Sequence, residues 1–351
     1  PEPYMPTNAH AAYLHSLEQA NLIETALGRD WFSASKKALL EPVDISPPFK
    51  EIFYVDSASA FAVGNRFDVK RGQRIELEIG FQGQQLTRFF IDLFRVNSES
   101  IQEWVLVASS NEDKNRLEFE PQRDAQYVVR LQSELLRGGQ YRVLIRNVAS
   151  LDFPVSGRNS RSIRSGFGAP RDAGRRVHHG VDIFAPRHTP VFAPSKAYVR
   201  FVGEQNLGGR TVWLYDQNRS LSLYFAHLQT QEVGRYTNVE VGQIIGTVGN
   251  SGNARTTAPH LHFGIYDPGK GPVDPYHFIC KTNVIPVKIA ADLKVLGHWV
   301  RAKKPTVVLK SYLDSRSREG VPLEQNSPMR VLAAAGNRYR ILLPDGVSGC
   351  V

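Results

Sequence analysis

The sequence of 351 residues predicts a mostly β fold, on three observations. After roughly the first 45 residues, apolar side chains recur at period two in short runs, the alternation of half-buried strands. Clusters of Gly, Asn, Asp and Pro separate those runs as turn signals. Helical spacing of apolar residues is confined to the N-terminal end.

The elements follow in chain order. Ala11 to Leu27 has the spacing of a helix that Gly28 would end, and Trp31 to Leu40 reads as a second, shorter one. Pro42, Pro47 and Pro48 mark a linker, so residues 1–48 form a helical segment. Residues 49–150 carry the alternating runs Arg74–Ile79, Phe89–Phe94, Tyr127–Leu131 and Tyr141–Ile145, with turns between them. That pattern predicts an antiparallel β-sandwich, and Gly138–Val143 resembles the last hairpin of a jelly-roll-like domain. Residues 151–283 are again β-rich. Residues 284–351 hold the runs Thr306–Leu309, Met329–Leu332 and Tyr339–Leu343, which read as strands, and the ending Asp345–Val351 resembles the close of a small β-barrel.

The third region concentrates chemistry-bearing side chains. His178-His179-Gly180-Val181-Asp182 places a His and an Asp four apart, and His260-Leu261-His262 places two His two apart. His227 stands alone in the apolar run Leu221–Leu228, and Asp274 lies between Pro272 and Pro275 as a turn former. In an extended chain His260 and His262 share a face, with Leu261 turned to the core. His178 and Asp182 share a face too, unless Gly180 bends the segment, while His179 points away to a rim. Three neighbouring strands would then aim five polar groups into one groove. Zinc hydrolases keep three protein ligands and leave one position for water. Each motif alone has a plainer reading, as a surface pair or a satisfied buried histidine; their conjunction within about one hundred residues points to a metal site.

From Ser156 to His277 the segment resembles the lysostaphin/LytM-type zinc endopeptidases that cut peptidoglycan cross-links. The landmarks stand in the family's order: Ser165-Gly166-Phe167-Gly168, the His178–Asp182 motif, Thr189-Pro190-Val191, Tyr224–Leu228, the turns Val241–Gly246 and Gly249–Gly252, and Pro259–Phe263. The resemblance implies one zinc ion held by His178, Asp182 and His262, with His227 and His260 as the catalytic pair. Arg187-His188, Gly264 and the Ser195-Lys196-Ala197 run depart from the family's usual residues, at positions that touch no ligand. The ending Asp345–Val351 resembles the close of bacterial Src-homology-3-like barrels, with Cys350 in place of the usual aromatic. No Glu follows the first ligand as in His-Glu-x-x-His enzymes, so histidine must move the protons.

Composition narrows the partners. Hydrophobic residues make up 42% of the chain, enough for buried cores and too many for wholesale disorder. The net charge of +9 suits a polyanionic surface, but no nucleic-acid recognition motif appears. An anionic cell envelope fits better. The expected partners are peptidoglycan peptides, with cell-wall glycan reached through the N- or C-terminal β domains. The sequence has no apolar run long enough for a transmembrane helix. It starts at Pro1 without a basic-then-apolar leader, as a processed or truncated chain would, so a periplasmic or extracellular location rests on the implied activity. Cys280 and Cys350 lack metal-ligand spacing and leave both a disulfide and two free thiols open. The rival to an enzyme is an envelope-binding protein on the same fold whose degenerate groove recruits or activates another hydrolase. A glycan-binding protein with a structural zinc is a third reading.

Overall fold

The computed structural model describes residues 7–82, 87–97, 103–111, 115–281, 285–309, 311–312 and 320–351. The chain forms two compact units, one of residues 1–70, 74–147 and 283–351, the other of 71–73 and 148–282. The boundary expected at 283/284 falls outside the described residues.

Helix α1 (Ala9–Gln19) is capped by Asn8, whose side chain accepts from the Ala11 N–H. Helix α2 (Ala26–Leu40) is capped by the Thr25 hydroxyl, which accepts from the Gly28 N–H. Gly28 therefore lies in the first turn of α2 and does not end α1. The Leu22 carbonyl would lie 2.1 Å from a Cβ at position 28, so close approach, not chain termination, explains that glycine. Trp31 of α2 is fully buried, stacks on His10 at 4.8 Å and donates its indole N–H to the Ser133 carbonyl. His10 contacts Gln132 at 2.8 Å.

The rest of the first unit is two sheets. A five-stranded sheet runs in the order Val43–Asp44, Ala62–Val69, Ala125–Ser133, Phe89–Val96, Trp104–Ser109. Facing it is an eight-stranded sheet, in which Phe49–Val55, Gly139–Ala149, Gln73–Gln82 and Arg116–Phe119 are consecutive neighbours. Phe53, Ile75 and Tyr141 from one sheet meet Phe67, Phe89 and Tyr127 from the other in a single apolar core. Period-two alternation is why each strand offers one such face.

The C-terminal strands extend that same sheet. Pro328–Ala335 pairs with Arg338–Leu342 on one edge; on its other edge it pairs with Trp299–Arg301 and then with Phe49–Val55, placing Ile52 opposite Ala334 and Phe53 opposite Ala333. No closed barrel forms among the described residues. Ile52 packs in a cluster with Leu296, Met329, Val331 and Ile341, so the apolar face of the C-terminal strands is buried partly by the N-terminal segment. Glu51, fully buried, accepts from the Tyr312 hydroxyl (2.5 Å) and from Arg340 (3.2 Å), which pairs the charge where it is desolvated.

The second unit is built on a sheet of ten strands. Its central order is Ile163–Ser165, Val181–Phe184, His260–Asp267, Leu221–Gln231, Gly209–Asp216, Ala197–Gln205. Val181, Ile183, Leu223, Phe225, Leu261, Phe263 and Ile265 fill the core beneath it. Cys280 belongs to this core; Cys280 and Cys350 are both free thiols and both buried.

Candidate functional site

Three adjacent antiparallel strands carry the site. Asp182 stands directly opposite His262, and His262 directly opposite Ala226. On the strand His260–Asp267, the even positions His260, His262 and Tyr266 line a cavity of about 580 Å³, while Leu261, Phe263 and Ile265 face the core. Asp182 and Phe184 line it from the neighbouring strand.

His178 arrives differently. It precedes its strand, and its own N–H and carbonyl pair with Ala169 O and Gly168 N. Gly180 makes the approach possible, because a Cβ there would lie 2.5 Å from the Phe263 carbonyl and 2.9 Å from His262 Nε2. The bend at Gly180, rather than a shared strand face, brings His178 to Asp182.

His227 reaches the cavity by a break in alternation. Period two would group it with the core residues Leu223 and Phe225. Its φ of +63° reverses the parity, so Ala226 and His227 both line the cavity and Leu228 returns to the core. The register shifts on both flanking pairings mark the same irregularity.

The five expected side chains thus line one cavity. His178 Nε2, Asp182 Oδ1 and His262 Nδ1 form a triangle with sides of 3.0, 3.1 and 2.9 Å. Ligands on a tetrahedral zinc with bonds of about 2.0–2.1 Å stand about 3.3 Å apart, so these donors fit a single ion. Among the described residues the cluster has three members, which leaves one tetrahedral position open. His178 Nδ1 donates to Gly166 O at 2.8 Å, which directs its Nε2 lone pair into the triangle. Asp182 Oδ2 accepts from Arg171 Nη2 at 2.7 Å, leaving Oδ1 for the triangle.

The electrostatics suit metal ligation. Burial opposes the charge of Asp182, but its close contacts with His178 and His262 outweigh it and hold the carboxyl well below the usual range. Burial lowers the pKa of His262 despite the pull of Asp182. A charged carboxylate beside a neutral imidazole is the state a cation binds.

His227 and His260 flank this triangle with ring centroids 5.0 Å apart. Each donates Nδ1–H to a carbonyl at 2.9 Å, His227 to Ser251 and His260 to Ala258, so each keeps a lone pair on Nε2. Phe184 stacks on His260 at 5.0 Å and holds its plane. Burial, then the neighbouring His260 and His262, lower the His227 pKa to about 4.

His179 is exposed at the cavity rim. Asp274 does not line the cavity; it accepts from the Tyr276 N–H at 2.9 Å as a turn former. Sequence reasoning missed Tyr266, although period two from His260 and His262 reaches it. It also missed Arg171, which no local signal reveals because its partners are set by the fold.

Comparison with known proteins places a family match over the same region. Residues 176–275 match the model of Peptidase family M23, so the chain contains a domain of that family. It is 40% identical over 122 residues to an L-Ala–D-Glu endopeptidase of Bacillus subtilis, covering 32% of this chain and 37% of that one. It is 39% identical over 102 residues to the DD-carboxypeptidase/endopeptidase Mpg of Neisseria meningitidis, covering 28% and 22%. Among solved structures, the catalytic domain of lysostaphin from Staphylococcus simulans is 32% identical, with 32% of this chain and 88% of that one covered and a TM-score of 0.30. The matched region thus spans well under half of these curated relatives.

Proposed function

We propose that this chain is a zinc-dependent endopeptidase that hydrolyses cross-links or stem peptides of bacterial peptidoglycan, in the periplasm or outside the cell. The observation that carries the reading is the donor triangle of His178, Asp182 and His262, closed to 2.9–3.1 Å across 84 residues of chain. The family match and the names of the relatives support the substrate class.

In this reading one zinc ion is held by those three residues, within a catalytic segment of 151–283. When bound, it supplies a Lewis acid that polarises the scissile carbonyl and acidifies a water. His227, neutral at ordinary pH and with Nε2 unprotonated, accepts a proton. His260, oriented by Ala258 and Phe184, serves the tetrahedral oxyanion or the leaving amine once protonated. Tyr224 and Tyr266 form apolar wall on the substrate side. The β regions 49–150 and 284–351, apart from the helical segment 1–48, are proposed to reach cell-wall glycan. A recruiting protein with a degenerate groove is disfavoured because all five positions are intact. A purely structural zinc is disfavoured because the cluster supplies three ligands among the described residues, not the four of a closed site.

The test is mass analysis of fragments released from purified wall sacculi, with and without chelator. Peptide fragments that appear only without chelator are expected. Release of glycan fragments alone, or chelator-resistant release, would overturn the reading.

A further inference from the structure

The ligand carboxylate has two oxygens, and the fold uses the second one. Arg171 lies on a short hairpin, opposite Arg176, away from the three site strands. Its Nη2 donates at once to Asp182 Oδ2 (2.7 Å) and Ser165 Oγ (2.6 Å). Ser165 and Asp182 are themselves direct cross-strand neighbours, and Ser165 Oγ lies 3.4 Å from His178 Nδ1. One guanidinium nitrogen therefore ties the strand that carries Asp182 to the strand beside it, next to the first ligand.

We infer that Arg171 is a positioning residue that makes Asp182 a one-oxygen ligand. The inference rests on the ligand set proposed above. By occupying Oδ2 it turns Oδ1 alone toward His178 Nε2 and His262 Nδ1, at 3.0 and 3.1 Å. Two effects compete. A fixed positive charge beside a dication repels it and weakens binding. A partner that orients a ligand strengthens binding, and its loss typically lowers metal affinity about 10- to 100-fold. The two short bonds, one to a carboxylate that is itself buried and one to the Ser165 hydroxyl on the neighbouring strand, indicate that orientation dominates.

The experiment measures Zn²⁺ affinity of the full chain by competition with a chromophoric chelator, for wild type, Arg171→Ala and Arg171→Lys, and records visible spectra of the Co²⁺-substituted proteins. The expected result for Arg171→Ala is an affinity about 10- to 100-fold lower. Its Co²⁺ absorption should also weaken, as the freed second oxygen of Asp182 raises the coordination number. Arg171→Lys should recover part of both. Arg171→Gln, which keeps an N–H donor without the charge, carries the same measurement if the alanine variant does not fold. Unchanged or tighter zinc binding in Arg171→Ala, with an unchanged cobalt spectrum, would overturn the inference while leaving the ligand set standing. A wild-type chain that binds no zinc would overturn both.

Discussion

At the scale of single residues, the histidines divide by which nitrogen the backbone holds. His178, His227 and His260 each give Nδ1–H to a carbonyl, so all three present Nε2. Only His178 Nε2 lies within the donor triangle. The division makes a paired prediction. His262→Ala should lose zinc, whereas His227→Ala should keep zinc and lose hydrolysis by about 100- to 10,000-fold, the usual worth of a general base. Metal analysis beside peptide-release assays separates them; full zinc in the first variant, or wild-type rates in the second, would refute the assignment. His188 has a φ of +69°, in the left-handed region that favours glycine. Left-handed backbone costs a non-glycine residue about 1–2 kcal/mol, and glycine costs about 0.5–1 kcal/mol in unfolded-state freedom. His188→Gly should therefore stabilise the chain by up to about 1 kcal/mol, read as a higher denaturant midpoint at unchanged slope. A lower midpoint would show that His188 makes a contact worth more than its strain.

At the scale of elements, alternation made the strand His260–Asp267 legible, because both of its faces follow strict period two. It does not by itself account for the face of His227, since a left-handed residue inserts one extra step that no propensity encodes. Capping decided the helices: Thr25 starts α2 and draws Gly28 inside it. The ending of the C-terminal region resembles a barrel of its own, yet the strand Pro328–Ala335 pairs with Phe49–Val55, more than 270 residues earlier. Removing residues 284–351 would uncover the edge of that strand and strip Ile52 of its cluster. The truncated chain should aggregate or elute as higher oligomers in size-exclusion chromatography. A soluble monomer with an undiminished melting temperature would count against this account of the sheet.

At the scale of the whole molecule, stability should respond to pH through a buried group of the first unit. Burial, then the charge of Arg130, lower the His10 pKa to about 4 from 6.5. The unfolded chain takes up this proton as pH falls through about 6.5, while the folded chain resists it until about pH 4. The stabilisation is thus complete above pH 6.5 and is lost between 6.5 and 4, on the order of 3 kcal/mol. His10→Gln should flatten the pH dependence of unfolding in that window; an equally steep profile would remove His10 as its source.

The sequence by itself determined the strand faces that keep strict alternation, the residue types able to hold a cation, and the β character of most of the chain, because period and spacing act within a few residues. Only the tertiary structure decided that Gly180 bends His178 onto Asp182, that Arg171 reaches the far oxygen of that carboxylate, and that the last strands complete the first sheet. Those contacts join segments separated by turns, a bulge or most of the chain, and their free energy depends on what packs beside them rather than on any local pattern.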